Sequence, residues 1–236
     1  SIFVSCNNES SILFQEMNPD ETGISFRNDL VIGGNPSVLE FEYMYNGAGV
    51  AVADFDQDGM QDIYFTGNMV SNRLYRKLGE FKFQDLTEST NVGTTGWSNG
   101  VAIVDINQDG HMDIVLAKGN SPLQARRENE IWTGDGNGGF FKSPQMFPYI
   151  STWKVDSGDY NGDGYIDLVV IEGNNAVRGY LNDGTSLFQN FTTFNSAELA
   201  SDVDLVDIDV DGDLDLVIGK FSYGTDTYSS EVLFND

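Results

Sequence analysis

Short runs of apolar, β-branched residues occur along the chain in pairs, and each pair flanks an acidic loop. The first member of each pair is GVAVA (49–53), GVAIV (100–104), KVDSG (154–158) or DVDLV (202–206). The second member begins at Ile63, Ile114, Leu168 or Leu216. Runs of this length, bounded by glycine and aspartate, are typical of buried strands rather than helices. The pattern therefore predicts a strand, a loop and a second strand, four times over.

A third and a fourth segment follow each pair. The third carries an aromatic residue in every copy, at Tyr75, Trp132, Tyr180 and Phe234. The fourth is present in three copies, at 81–87, 140–147 and 187–194. Four strands in a unit of about 50 residues is the signature of a propeller blade. We expect an all-β fold, a β-propeller of four-stranded blades, formed either as a closed ring or as a partial arc of a larger propeller.

The fourth copy stops at its third strand, EVLFND (231–236), and lacks a fourth strand of its own. The N-terminal stretch ILFQEMNPDETGI (12–24) resembles FKFQDLTESTNVG (81–93), the fourth strand of the first copy with its turn. We therefore predict that Leu13–Met17 is an outer strand that pairs with Val232–Asn235 and closes the ring. In the alternative, an open arc, these two segments lie far apart.

The loops share one pattern, D-x-[DN]-x-D-G-x-x-D, and are called loops 1 to 4 here. They read DFDQDGMQD (54–62), DINQDGHMD (105–113), DYNGDGYID (159–167) and DIDVDGDLD (207–215). Four matches every 48 to 54 residues form an internal repeat. An EF-hand loop starts in the same way but needs a glutamate at position 12, where this chain has Phe65, Leu116, Val170 and Ile218 inside a β-run. The EF-hand is therefore excluded.

Carboxylates this close repel one another unless a cation lies between them. The side chains at positions 1, 3, 5 and 9 and the backbone carbonyl at position 7 supply five hard oxygen ligands, a set that suits Ca²⁺ better than Mg²⁺. The predicted ligands are Asp54, Asp56, Asp58, Met60, Asp62, Asp105, Asn107, Asp109, His111, Asp113, Asp159, Asn161, Asp163, Tyr165, Asp167, Asp207, Asp209, Asp211, Asp213 and Asp215. About four calcium ions are expected.

The formal net charge of -25 argues against nucleic acid and anionic membrane surfaces as partners. Four divalent ions would bring it to about -17. No apolar stretch reaches the length of a membrane span. The single cysteine, Cys6, excludes an intrachain disulfide. Its setting, IFVSC before NNESS, looks like the end of a bacterial lipoprotein signal. Residues 1–11 are accordingly predicted to be a tail with a lipid-anchor cysteine or a free thiol, and residues 12–236 the propeller.

The repeated loop between two strands resembles the FG-GAP/VCBS repeat of integrin α-chain propellers and of many secreted bacterial proteins. Residues 45–88 are similar to the bacterial branch over a whole blade, although the literal Phe-Gly and Gly-Ala-Pro signatures are absent. The resemblance implies a propeller that binds calcium at these loops and serves adhesion or ligand recognition, usually without catalysis. It also implies a location outside the cytoplasm, secreted or at the cell surface.

Two classes of function remain open. The leading one is a recognition or adhesion module for glycan or protein ligands, with Tyr45, Trp97 and Trp153 as aromatic residues that either stack on sugar rings or pack in the core. The rival is the propeller domain of a polysaccharide-degrading hydrolase or lyase, because a glycosidase needs only two carboxylates. The surplus acids Asp156, Glu172, Asp202 and Asp204 keep the rival open. The lone histidine, His111, occupies loop position 7, so no catalytic residue is predicted and the chain is expected not to be an enzyme.

Overall fold

A computed structural model describes residues 14–30, 47–119, 128–144, 152–184, 188, 190–194, 199–222 and 227–235. Fifteen strands and two one-turn helices lie in these ranges. Each strand–loop–strand unit of the sequence forms part of an antiparallel sheet, because its two apolar runs fold back on each other across the acidic loop. Tyr45 and Cys6 lie outside the described residues, so the predictions made for them stay predictions.

Sheet A contains β1 (Val50–Ala53), β2 (Asp62–Phe65), β3 (Arg73–Gly79) and β4 (Lys82–Asp85). Sheet B contains β5 (Ser98–Val104), β6 (Asp113–Lys118), β7 (Glu130–Gly134) and β8 (Phe140–Lys142). Sheet C contains β9 (Thr152–Gly158), β10 (Asp167–Glu172), β11 (Val177–Leu181) and β12 (Asn190–Phe194). Sheet D contains β13 (Leu199–Val206), β14 (Asp215–Ser222) and β15 (Thr227–Leu233). The strands follow chain order in every sheet, as in propeller blades.

The core consists of three similar interfaces between consecutive sheets. One face of each sheet, called the front face here, carries the β-branched and aromatic residues of alternate positions, such as Val101, Ile114 and Trp132 in sheet B. It packs on the opposite, back face of the preceding sheet, where sheet A presents Phe55 and Tyr64. The same arrangement joins sheet B to sheet C and sheet C to sheet D.

The N-terminal segment covers part of the front face of sheet A. Helix α1 (Pro19–Thr22) begins at Asn18, whose side chain accepts a hydrogen bond from the Asp20 backbone, and it ends at the left-handed Gly23. Beyond it, Phe26 stacks on Phe65 with 5.1 Å between ring centroids. A second helix, α2 (Thr87–Thr90), follows β4.

The predicted closing strand is not present. Residues 14–18 form no strand, and the segment that follows them packs on sheet A rather than on sheet D. In the described part of the chain, β15 pairs only with β14, and no strand pairing joins sheet A to sheet D. The sequence likeness between 12–24 and 81–93 was therefore a wrong guide to pairing, because α1 begins where the strand was expected to end.

The third-strand aromatic of the last repeat was also placed one residue too far along. Leu216 of β14 faces Leu233, just as Leu168 faces Tyr180 and Ile114 faces Trp132 in the earlier sheets. Leu233, not Phe234, is thus the equivalent residue. Since side chains alternate between faces, this one-residue difference leaves Phe234 outside the interface and 58% exposed.

Candidate functional site: four acidic loops at one end of the sheets

All four loops lie at the same end of their sheets, because each joins the first strand to the second. Two hydrogen bonds show that neighbouring loops are side by side. The Gln57 side chain of loop 1 donates to the Gly110 carbonyl of loop 2 at 2.8 Å, and the Gln108 side chain of loop 2 donates to the Gly164 carbonyl of loop 3. The acidic side chains of loops 1, 2 and 3 therefore lie in one row.

Every loop has the same internal hydrogen-bond pattern. The position-1 carboxylate accepts the backbone N–H groups of positions 5 and 6; in loop 1, Asp54 accepts from Asp58 at 3.1 Å and from Gly59 at 2.9 Å. Loops 2, 3 and 4 repeat both bonds at 2.8–3.2 Å. The position-3 oxygen accepts the position-5 N–H, and the position-5 carboxylate accepts the position-7 N–H. The backbone thus orients the side chains at positions 1, 3 and 5.

The closing aspartate at position 9 is the first residue of the second strand, and it is buried in all four loops. Asp113 accepts the Ile106 N–H at 3.0 Å and the Gly134 N–H at 2.8 Å, so it ties its loop to the third strand. Asp62 and Asp215 accept the two equivalent bonds, and Asp167 accepts the bond from Asn182. This aspartate anchors the loop to the sheet.

Burial has a clear electrostatic effect on these closing aspartates. Desolvation raises the pKa of Asp113 and the pKa of Asp167 to about 6, against the backbone hydrogen bonds that lower them. The pKa of Asp62 is raised for the same reason. The pKa of Asp215 is lowered, because the backbone N–H groups of Asn235 and Ile208 stabilise its charged form. The ionised forms of Asp113 and Asp167 are therefore costly unless a cation offsets them.

The donor chemistry fits a hard divalent cation. In loop 1, one carboxylate oxygen each from Asp54, Asp56 and Asp58 lies within 4.8 Å of the others, and in loop 4 the same holds for Asp207, Asp209 and Asp215. In loops 2 and 3, position 3 is asparagine, and its amide group donates to the position-5 carboxylate at 2.9 Å. Two of the four loops therefore bring three carboxylates together, and the other two bring two carboxylates and an amide.

Loop 1 has a cation of its own that the sequence did not reveal. The Arg76 guanidinium lies 2.5 Å from Asp56 and 3.4 Å from Asp58. Arg76 sits on β3, eighteen residues after Asp58, and β3 pairs with the strand that follows the loop. The sequence did predict that the second and third strands pair, and this pairing would have placed β3 side chains such as Arg76 near loop 1.

Two position-7 side chains pack beside glycines that follow the third strand. The His111 ring packs against Gly136 and lies 3.1 Å from the Gln57 amide nitrogen, and the Tyr165 ring packs against Gly184. The backbone N–H groups of Met60 and Asp213, at the same position, donate to the position-5 carboxylate. The carbonyl role assigned to these four residues from the sequence stays a prediction.

The surplus acids have structural partners. The Asp156 carboxylate accepts the Leu205 N–H at 2.7 Å, and Lys154 pairs with Asp202 at 2.9 Å and with Asp204 at 3.6 Å. Glu172 is buried, bonded to Arg178 at 2.8 Å and to the Tyr180 hydroxyl at 2.9 Å. Lys154 thus brings two of the surplus acids, Asp202 and Asp204, to one ammonium group.

The aromatic candidates for sugar stacking do not form a described surface. Trp97 is 3% exposed and packs with Leu30 and Met69, so the expectation that it stacks on a sugar ring is wrong. Trp153 is half-buried against the core between sheets C and D. Residues just before an inner strand point into the sheet packing here, which the sequence pattern could not distinguish from an exposed face.

Four antiparallel sheets, packed face to face in chain order with an acidic loop at the same end of each, define a β-propeller-type repeat array. The profile of the FG-GAP-like repeat matches residues 54–116 and 159–218, together more than half of the chain. The chain therefore belongs to the FG-GAP-like repeat family.

Curated relatives share parts of this array. A protein of Plasmodium falciparum (isolate 3D7) named "T-cell immunomodulatory protein homolog" is 35% identical over 140 residues, covering 50% of this chain and 18% of that protein. "Cartilage acidic protein 1" of Xenopus tropicalis is 30% identical over 105 residues, covering 44% of this chain and 16% of that protein. The chain thus spans less than a fifth of the length of either relative.

Among solved structures, the V. cholerae biofilm matrix protein Bap1 aligns with a TM-score of 0.49 and 20% identity, covering 80% of this chain and 27% of that chain. Within the described ranges, no helix has the length and apolar character needed to cross a membrane.

Proposed function

We propose that this chain is a calcium-binding recognition or adhesion module that works outside the cytoplasm on a glycan or protein ligand, without catalysis. The observation that carries the proposal is the hydrogen-bond pattern common to loops 1 to 4, which orients an oxygen-rich side-chain set at one end of every sheet. A pattern kept in four loops with different intervening residues supports a common ligand. A divalent cation is the ligand that this chemistry suits.

Calcium fits better than magnesium. Ca²⁺ accepts six to eight oxygen ligands in flexible geometry, whereas Mg²⁺ demands a near-ideal octahedron and keeps several waters. Each loop offers up to four side chains and one backbone carbonyl, and exposed loops leave room for water. Such exposed sites typically bind with dissociation constants of about 10⁻⁴–10⁻³ M.

A non-catalytic role is supported by the state of the acids. The carboxyl groups of raised pKa, Asp113 and Asp167, are buried and accept backbone N–H groups, which suits an anchor rather than a proton donor to a substrate. The alternative, the propeller domain of a polysaccharide-degrading enzyme, remains the rival.

A polar groove of about 260 Å³ on sheet A is one candidate place for a polar ligand. It lies where the N-terminal segment crosses sheet A and is lined by Ser25, Arg27, Asp29, Ser71, Arg73 and Asp85. Arg27 pairs with Asp29 and Arg73 with Asp85, each at 3.1 Å, and the buried Tyr75 hydroxyl accepts the Ser25 N–H at 3.3 Å beneath them. Exposed charge pairs with nearby hydroxyl groups suit the hydroxyls of a sugar or the polar groups of a peptide.

The location is part of the proposal. The expected range of calcium affinity matches extracellular calcium levels, and the lipid anchor at Cys6 would hold the module at a membrane surface. The names of the two relatives, which mention immune modulation and cartilage, are consistent with proteins that meet other molecules outside cells. The bacterial branch of the family stays a prediction.

Calcium binding is tested by titration calorimetry on the full chain. We expect about four ions, with a melting temperature that falls on chelation because each ion that binds only the folded chain stabilises it by mass action. Asp58→Ala and Asp109→Ala should each remove about one site and lower the melting temperature. His111→Ala is the matched control and should keep four sites. A melt unaffected by chelator, with no heat on adding calcium, would refute the proposal.

Ligand recognition is tested on a glycan array, read for both binding and cleavage, with and without calcium. We expect calcium-dependent binding without cleavage, weakened by Arg73→Ala and unchanged by Lys82→Ala on the same sheet. Release of shortened oligosaccharides would favour the enzyme alternative.

A further inference from the structure

The hydrogen bonds of Gln57 and Gln108, called the glutamine bridges here, link the proposed cation sites of neighbouring loops. Gln57 stands at position 4 of loop 1, between Asp56 and Asp58, with its backbone in the left-handed region (φ 58°). Gln108 takes the same place in loop 2 (φ 56°), between Asn107 and Asp109. A cation that draws positions 3 and 5 together therefore acts on the backbone from which the bridging side chain projects.

The far end of each bridge reaches a peptide group that is hydrogen-bonded to a proposed ligand of the next loop. The Gln57 amide donates to the Gly110 carbonyl at 2.8 Å. The N–H of that same peptide group, on His111, donates to the Asp109 carboxylate at 2.9 Å. In the next pair, Gln108 donates to the Gly164 carbonyl, and the following N–H, on Tyr165, donates to the Asp163 carboxylate at 2.8 Å. One peptide group thus joins the bridge to the position-5 carboxylate.

The series stops after loop 3. Position 4 of loop 3 is Gly162, which has the same left-handed backbone (φ 73°) but no side chain to reach loop 4. The contact that does join sheet D to loop 3, from the Asn235 amide to the Tyr160 carbonyl at 2.8 Å, ends at loop position 2 and touches no peptide that donates to a position-5 carboxylate. Loop 4 therefore lacks the link that the others share.

We propose that Gln57 and Gln108 couple calcium binding in loops 1, 2 and 3, so that these three sites fill together, whereas loop 4 fills independently. This inference rests on the calcium sites of the proposed function and adds their order of filling. Coupling between two sites is reciprocal, so an ion in loop 2 strengthens binding in loop 1 by the same factor as an ion in loop 1 strengthens binding in loop 2, and the same reciprocity holds between loops 2 and 3. Couplings of this kind typically change affinity about 5-fold or more.

The test follows each site separately by NMR during a calcium titration of the full chain. The backbone amides of Gly59, Gly110, Gly164 and Gly212, at position 6, report the four loops. We expect the first three signals to shift with one common, steep midpoint and the Gly212 signal to shift on its own. Gln108→Ala should separate the Gly164 midpoint from the other two by about 5-fold or more.

A variant that adds the missing bridge between loops 3 and 4 gives a sharper test. No atom lies within 4 Å of a Cβ built at Gly162, and Gln57 and Gln108 already adopt the same left-handed backbone, so Gly162→Gln should supply the missing bridge and bring the Gly212 midpoint to that of the others. Gly162→Ala is the matched control, and it should leave Gly212 independent. Four independent midpoints, unchanged by Gln108→Ala, would overturn the coupling while leaving calcium binding intact. No shift at any of the four glycines would instead refute the calcium sites.

Discussion

The closing aspartates show how one residue type serves two purposes in the same loop. The side chains at positions 1, 3 and 5 of each loop lie nearer the solvent. The aspartate at position 9 is buried beneath them in the sheet, where it accepts hydrogen bonds from backbone N–H groups. The sequence predicted that all four carboxylates belong to the loop, because the spacing repeats. It could not predict the burial of position 9, which depends on the third strand that covers it.

Burial at position 9 should make the proposed calcium binding depend on pH. In the metal-free chain the carboxyl groups of Asp113 and Asp167, with a pKa of about 6 against an unfolded value near 3.8, are partly protonated at pH 6. The folded chain then binds more protons than the unfolded chain, so these two groups make the metal-free fold less stable as pH rises from 4 through 6. Calcium needs their ionised forms, so its affinity should fall as pH drops below 6.

Proton release measures this effect directly. Calorimetric calcium titrations in buffers of different ionisation enthalpy should show roughly one proton released per chain at pH 6 and close to none at pH 8. The same titrations on Asp113→Asn should show a smaller release at pH 6. Equal heats in all buffers at pH 6 would contradict the assignment.

At the scale of the strand, periodicity predicted most of what formed. The apolar runs on both sides of each loop became the first and second strands, and the EF-hand position 12 residues all lie in second strands. The failures have a physical pattern. Phe234 follows β15, which has a partner strand on one side only, and residues 14–17 form no strand in the described structure. At such places the sequence pattern no longer determines register or pairing.

The second strands of sheets B, C and D each contain a charged residue within an apolar run, which the hydrophobic periodicity did not predict. Five residues after the closing aspartate stands a charged residue, Lys118, Glu172 or Lys220, each paired with an oppositely charged residue of the third strand: Glu130, Arg178 or Glu231. Sheet A has Gly67 there, and its Arg73 pairs with Asp85 on β4 instead. The pair of sheet C has reversed signs, so the position needs a pair rather than a particular charge.

The Lys118–Glu130 pair should be a major contributor to stability when only one partner is removed. Both side chains are at most 10% exposed, and the pKa of Glu130 is lowered because Lys118, Lys142 and Trp132 together outweigh its desolvation. Glu130→Gln breaks this buried ion pair by removing the charge of one partner, and it should cost about 3–5 kcal/mol in urea unfolding at saturating calcium.

The comparison variants separate burial from pairing. Asp85→Asn breaks the exposed Arg73 pair and should cost at most about 1 kcal/mol. The double variant Lys118→Met with Glu130→Leu should be more stable than Glu130→Gln alone, because it leaves no unpaired charge. Similar losses from Asp85→Asn and Glu130→Gln would contradict this interpretation.

At the scale of the whole molecule, the repeated interface leaves two uncovered surfaces in the described structure. On sheet A, Val50 and Val52 of the front face are 60% and 54% exposed, beside the part that the N-terminal segment covers. On sheet D, the back-face residues Val206, Ile208 and Val232 are 39–43% exposed. In the interior of the array the equivalents of these residues are packed against a neighbouring sheet.

Uncovered apolar faces of this kind should make the isolated chain associate, because contiguous exposed apolar patches favour contact with other surfaces. We expect a concentration-dependent sedimentation coefficient for this chain. Val206→Glu with Ile208→Glu should reduce the association, whereas Phe81→Glu, also exposed but on the β3–β4 turn, should not. A monomer at all concentrations, in both the unchanged chain and the variant, would show that these faces do not drive association.

The two faces of every sheet are unlike, and this has a consequence for how the array can grow. Each front face fits a back face and no contact of the repeated interface joins two faces of the same kind, so the stack has a polarity, as a filament with a plus end and a minus end does. A further sheet that reuses this interface can be added beyond sheet D only with its own front face inward. Two copies related by a two-fold axis would place like faces together, so a symmetric dimer cannot reuse this front-to-back interface.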